Sequence, residues 1–225
     1  MKLKRILIVL AGLFLLGVVA VVVFLLSLDT MARWAVEKRI EAQTGLKAEI
    51  GKFHIGLREP VVSITGLKLY NPTNFGGTLL MQIPEIHMEY DRDAAKNRGE
   101  IHITLLRFNL GEVDIVKNEA GQTNLFVLGM TLPSKDDLAK SKDLNEIKKR
   151  TGYEFKGIDM LTVSVGKAKF IDLGNPKNNR EQDIDIENVP IPNVKSPADL
   201  TGLLLLVVLR SDNFFNSLVA PAGLK

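Results

Sequence analysis

The sequence predicts a mainly β fold with flanking helices: an N-terminal transmembrane helix, then a curved antiparallel β-sheet groove, then a C-terminal helix. Three observations carry this. An uncharged run of 23 residues, Ile6 to Leu28, follows a basic start. Between residues 46 and 196, apolar and polar residues alternate in short runs separated by turn residues. After Ser196 a second uncharged stretch, Leu200 to Leu209, follows a helix-start signal. The expected order is a cytoplasmic basic end at 1–5, a transmembrane helix at 6–28, a helical stem at 29–45, a β-rich domain at 46–196 and a C-terminal helix at 197–225 packed on the sheet.

The first element is the membrane helix. At 1.5 Å per residue, Ile6 to Leu28 forms a helix about 34 Å long, enough for a hydrocarbon core of about 30 Å. A cleaved signal peptide has a shorter apolar region, about 7–15 residues, and a small-residue cleavage site. Here the text after the run reads Leu26-Ser27-Leu28-Asp29-Thr30, without such a site. An uncleaved signal anchor is expected. Lys2, Lys4 and Arg5 keep the N-terminus cytoplasmic. The bulk of the chain then lies in the periplasm, and the location is a single pass through a bacterial inner membrane.

These three cations also explain the overall charge. The chain has 29 Lys and Arg against 26 Asp and Glu, and removing the three leaves the remainder neutral. No basic footprint remains for nucleic acid. Aromatics at 6%, with one Trp, argue against a stacking platform for single strands. The lack of cysteine excludes disulfides, thiolate metal sites and a cysteine nucleophile.

The stem, Thr30 to Thr44, contains good helix formers without Pro or Gly, and Gly45 is a natural stop. Trp34 falls near the expected membrane interface. Arg33, Glu37, Lys38, Arg39 and Glu41 are expected to form a solvated face.

The β region follows. Phe53, Ile55 and Leu57 alternate with polar or small residues, as do Val62 and Ile64; Gly66 then interrupts before Leu67 and Leu69. Ile86, Met88 and Tyr90, then Ile101, Ile103 and Leu105, then Val113 and Ile115 keep the same period of two. Such runs mark antiparallel strands with one apolar and one polar face. The glycine at 66 suggests a bulge or bend. The largest polar insertion, Pro133 to Arg150, reads as an exposed helix. Strands resume at Tyr153 to Ile158 and Leu161 to Leu173, with a break near Gly166, and then Ile184, Ile186 and Val189 alternate with acids. Pro190 to Ser196 reads as a loop. Ser196-Pro197-Ala198-Asp199 then starts the last helix, which is too short to span a bilayer.

Catalytic chemistry is not nominated. His54, His87 and His102 fall on the polar faces of predicted strands and lack close ligand spacing. Asp183, Asp185 and Glu187 lack the glycine and the later Glu of a calcium loop. The Gly157 to Lys167 stretch has the wrong spacing for a phosphate-binding loop. No cofactor or metal is expected, and no enzyme activity. The tentative lipid-facing groove is Ile86, Met88, Ile101, Ile103, Leu105, Val163 and Val165.

The order of features resembles a known family. The residues concerned are Val62-Ser63-Ile64-Thr65-Gly66-Leu67-Lys68-Leu69-Tyr70-Asn71-Pro72, then Asn74-Phe75, Ile83-Pro84-Glu85-Ile86 and Asn118-Glu119-Ala120-Gly121-Gln122-Thr123-Asn124-Leu125. Ile158-Asp159-Met160-Leu161-Thr162-Val163 and Ala168-Lys169-Phe170-Ile171-Asp172 follow. Across roughly residues 1–190 this is similar to the N-terminal region of AsmA-like envelope proteins. The resemblance implies a β-rich groove, a role in lipid movement or outer-membrane homeostasis, and no catalytic residues. Here one module is followed by a helix where larger members continue, which argues against a long conduit. Two functions stay open: a lipid-handling module with membrane lipids as partners, or an accessory subunit docked on a larger inner-membrane protein complex.

Overall fold

The computed structural model describes residues 30–124 and 152–211, except 43 and 57. The apolar run at 6–28, the insertion at 133–150 and the chain after residue 211 lie outside the described residues. Among those described, no helix is long and apolar enough to cross a membrane.

A helix, α1, covers residues 30–42 and extends to Thr44. Gly45 ends it in the left-handed region, at φ 71°, with its N–H donating to the Glu41 carbonyl. Seven strands follow: β1 (Lys47–Glu49), β2 (Lys52–Ile55), β3 (Val61–Tyr70), β4 (Leu79–Tyr90), β5 (Glu100–Lys117), β6 (Glu154–Asp172) and β7 (Arg180–Val194). The last element, α2, is Thr201–Arg210, entered through a 3-10 turn at Pro197–Leu200. Asp199 Oδ2 accepts the N–H groups of Lys195 and Ser196, each at 2.8 Å, which closes the start of the helix.

All strands join one curved, unclosed sheet in chain order, with β1 and β2 both pairing with β3. Most pairs are antiparallel, but β5 and β6 are parallel, paired from Glu100↔Glu154 to Lys117↔Asp172 with one register shift between Ile101 and His102. The sheet is thus predominantly antiparallel, as expected, with one parallel pair that alternation did not reveal. A parallel pair needs a crossover of a dozen or more residues. Here the connection runs from residue 118 to 153, and the polar insertion at 133–150 belongs to it. The two short runs at 101–105 and 113–115 are one strand, as are those at 153–158 and 161–173.

The strands stay continuous because alternation changes step at glycine. Across β6 the apolar residues Val163 and Val165 are followed three residues later by Ala168, then Phe170; across β5, Phe108 and Leu110 are followed by Val113 and Ile115. Gly51, Gly66, Pro84, Gly111 and Gly166 form a line across the sheet at this step. Gly51 donates its N–H to the Gly66 carbonyl at 3.2 Å. A Cβ on Gly111 would lie 3.0 Å from Pro84 Cγ, and one on Gly166 would lie 2.4 Å from the Gly111 carbonyl oxygen. The line meets β7 at Asp185, whose φ is 50° and around which the pairing register slips. At Gly51, Gly111 and Gly166 the approach is too close for a side chain, and Gly66 sits at φ 68°, so the sheet creases while one face stays apolar.

At the break between β1 and β2 the helix takes over the freed backbone groups. Glu37 Oε1 accepts the Ile50 N–H at 2.7 Å, and Arg33 donates to the Gly51 carbonyl at 3.4 Å. Arg33 and Glu37 are therefore pinned to the sheet and are not part of a purely solvated face. The other edge, β7, runs through the expected loop to Val194. Pro190 and Pro192 fit because alternate N–H groups of an edge strand point away from the sheet.

Gly166→Ala should lower stability by about 1–3 kcal/mol through the backbone clash. Gly202→Ala, in α2 with nothing within 4 Å of its new methyl, should raise it by up to about 1 kcal/mol. Urea unfolding of the two variants beside the parent checks the pair; equal midpoints would remove the crease from the account.

Candidate functional site

Register places two complete apolar rows on one face of the sheet. Phe53, Ile64, Ile86, Phe108, Val163 and Val189 pair in succession from β2 to β7. Two residues along, Ile55, Val62, Met88, Leu106, Leu161 and Ile191 do the same. The row between them, on the opposite face, is His54, Ser63, His87, Arg107, Thr162 and Pro190. Period-two alternation in each strand, held in register, builds this two-faced surface. At about 4.8 Å per strand, each apolar row is about 24 Å long.

Two helices lie on the apolar face. Ala32, Val36 and Ile40 of α1 pack on the side near β1 to β4, around Ile50, Phe53, Leu67 and Ile83. Leu203, Leu206 and Val207 of α2, with Leu200 just before it, pack near β6 and β7, around Leu161, Val163, Ile184 and Ile186. Phe108 and Leu110 are half-buried and touch both clusters, so they form the floor between the helices.

Six of the seven tentative groove residues keep an inward or end position. Ile86 and Met88 lie on the apolar rows; Val163 and Val165 are buried beneath α2. Ile103 is 8% exposed and pairs with Tyr90, and Ile101 pairs with Phe155 beyond the end of β4. Leu105 leaves this face. Glu89 pairs with Leu105 but Tyr90 pairs with Ile103, so Thr104 is a bulged extra residue. Leu106, opposite Met88, takes the inward place, and Leu105 sits between Glu89 and Met160, which is 37% exposed. A bulge of one residue reverses every side chain beyond it, which alternation alone does not reveal.

On the polar face the histidines are spread out. His87 Nε2 lies 3.1 Å from Glu89 Oε1, and His102 Nε2 lies 2.8 Å from Asp159 Oδ1. Among the described residues no group of three or more His, Cys, Asp or Glu is placed to hold a metal. Asp183, Asp185 and Glu187 are the exposed side of β7, alternating with buried Ile184 and Ile186. A cleft of about 530 Å³ lies at the far end, lined by Lys47, Glu49, Tyr70 and the 71–77 loop. Its charges satisfy each other: Lys47 lies 2.8 Å from Glu49, and Tyr70 donates to Glu49 at 2.7 Å.

Sequence reasoning missed two buried polar groups. Asn124 donates to the Asn71 side chain and to the Asp114 carbonyl, each at 2.9 Å, and accepts the Val116 N–H at 3.1 Å. This latch closes the far end of β3, β4 and β5. Both asparagines lie in the turn motifs quoted above, where they read only as loop formers. The second group is Asp114, 4% exposed, whose Oδ1 meets no N–H or hydroxyl donor among the described residues. Burial, then the negative charge of Glu112 two residues earlier, push its carboxyl up to about 7. Burial also works against ionised Glu112, but the Lys169 and Lys167 ammoniums, 2.9 and 3.5 Å away, outweigh it and hold that carboxyl low. The protonated Asp114 then donates to Glu112. This buried carboxyl belongs to a strut of the sheet and lies apart from the cleft at Lys47, Glu49 and Tyr70.

No protein-family model, curated protein or solved structure matches this chain.

Two predictions test this surface. Ile103→Asp places an unpaired charge inside and should cost several kcal/mol, of about 5–15 for a typical domain. Leu105→Lys should be mild, facing Glu89; equal losses measured by denaturant midpoint would refute the bulge. For Asp114, the folded carboxyl binds a proton more tightly than the unfolded one, whose value is near 3.8. Stability should therefore fall as pH rises from about 4 to about 7, then level off. Each pH unit of displacement corresponds to about 1.4 kcal/mol. Glu112 acts with the opposite sign and only below its ordinary range, so the window from pH 5 to 7 belongs to Asp114. Asp114→Asn should flatten that slope in thermal melts and gain stability over the parent at pH 8; parallel profiles would contradict the assignment.

Proposed function

We propose that this protein is a membrane-anchored, non-enzymatic envelope module, similar to AsmA-like proteins, that holds lipid acyl chains along the apolar face of its sheet. Its anchor is the 6–28 run, its location the bacterial inner membrane, and its sheet periplasmic. The observation that carries the reading is the pair of unbroken apolar rows, with Leu106, Phe108 and Leu110 only half-buried between two helices. Burial of apolar surface contributes about 0.8 kcal/mol per CH₂. Five methylenes laid along this floor contribute about 4 kcal/mol, roughly a thousandfold in affinity. The rows are too short to bridge an envelope, so the module passes lipid to a partner or stores it locally.

A second reading has its own support. Leu205 and Leu209 are 59% and 67% exposed on the outer side of α2. Such a pair suits an accessory subunit seated against a larger inner-membrane complex.

Native mass spectrometry of the full chain, extracted in mild detergent, separates the two. Bound phospholipid at near-unit stoichiometry is expected, and its amount should drop severalfold in Phe108→Asn, which makes the floor polar, measured on variant protein whose circular dichroism matches the parent. A chain that emerges lipid-free with a stoichiometric protein partner would replace the lipid reading with the second.

A further inference from the structure

Exposed apolar side chains are not spread evenly over the molecule. Among the described residues, the exposed large hydrophobics of the sheet and α1 are Met31, Trp34, Ile55, Tyr153 and Met160. Their positions share one end of the sheet. Ile55 is the last residue of β2 and pairs with Val62 at the start of β3. Tyr153 immediately precedes β6, and Met160 lies in the row of Val61, Glu89 and Leu105 at the end of β4. Met31 and Trp34 reach the same end through α1. That helix runs antiparallel to β1 and β2: Gly45 adjoins β1, Glu37 bonds to Ile50, and Arg33 bonds to Gly51. Residue 30 therefore emerges beside β2, about level with Phe53 and on the way to this end.

The opposite end differs in kind. It holds the 71–78 loop, the 118–122 turn and the 173–180 connection. Among the described residues of these segments none is an exposed large hydrophobic, and Phe75 and Leu80 are fully buried. Its surface is closed by the Asn71–Asn124 latch and by Asp172, which accepts the N–H groups of Gly174 and Asn175.

We propose that the end carrying Ile55, Trp34 and Tyr153 rests on the bilayer surface, with the long strands pointing away from it. The proposal rests on the reading of residues 6–28 as a membrane anchor, because that run ends where α1 begins, at this end. Trp and Tyr rings are favoured at the membrane interface, with an apolar body and a polar edge. Two of the cations at this end are paired within the protein: Arg98 with Asp91 and Glu100, and Lys156 with Glu100 and Glu154. The exposed Trp34, Tyr153 and Ile55 side chains supply the apolar and aromatic part of the contact. The entrance to the apolar rows, beside Ile55 and Ile191, faces the lipid, and the Asn71–Asn124 end stands about 30 Å away along β3.

The absence of cysteine makes the test direct. Full-length single-cysteine variants Ile55→Cys and Tyr153→Cys at the near end, and Thr73→Cys and Lys177→Cys at the far end, carry a fluorophore in phosphatidylcholine vesicles. A quencher attached to the lipid should act several times more strongly at both near positions than at both far ones, and a water-soluble quencher should act in the reverse order. Two positions per end keep one misfolded variant from deciding the result. Equal quenching at all four positions, in protein that resists alkaline carbonate extraction, overturns the orientation while leaving the anchor intact. Protein released by carbonate overturns the anchor itself.

Discussion

The parallel pairing of β5 with β6 sets the architecture. Every other pair in the sheet joins strands by antiparallel ladders, and local turns suffice. At the centre the chain instead returns from residue 117 at one end to residue 154 at the other before pairing again. The two strands are in register along nearly their full length. This ladder fuses a β1–β5 unit with a β6–β7 hairpin, and it brings Phe108 and Leu110 against Val163 and Val165. Without it there would be two small apolar surfaces, one under each helix. With it there is one face shared by both.

The crease is the second constraint, and it follows from strand length. A strand of 18 or 19 residues accumulates twist, and a flat continuation would carry its apolar residues out of alignment with a compact cover. Glycine in four positions, with Pro84 packed against one of them, lets neighbouring backbones close in and shifts alternation by one residue. The apolar face thus stays on one side through the bend. Packing beneath α1 depends on that continuity, since Phe53 and Ile64 lie on one side of the crease and Ala48 and Leu67 on the other. The edges are managed separately: β1 and β2 are short and interrupted, and β7 carries acids, prolines and three residues at positive φ.

Polar groups inside the molecule serve this frame. Asn124, Asn71 and Asp172 replace backbone partners where strands end, and Arg33 and Glu37 do the same where β1 breaks into β2. Asp114 is different, because its carboxyl is buried beside another and its charge state follows pH. Function, in the reading proposed above, depends little on any of these. It depends on an apolar floor between two helices and on which end of that floor faces the bilayer.

The amino-acid sequence by itself determined the β character of the described residues between 46 and 196, the helix stop at Gly45, the capped start at Ser196, and the inward faces of Ile86, Met88, Val163 and Val165. Those are local matters: period-two alternation, turn residues and caps act within a few positions. It also marked Gly66 and Gly166 as breaks. Tertiary structure alone decided that these glycines lie on one line, that β5 and β6 run parallel, that Leu105 gives way to Leu106, and that Arg33, Glu37 and Asn124 hold the fold. Each of these depends on what a neighbouring strand or helix offers at the same level. Alternation has the same appearance whether the adjacent strand runs up or down, and a bulge leaves no trace until its partner's register is known.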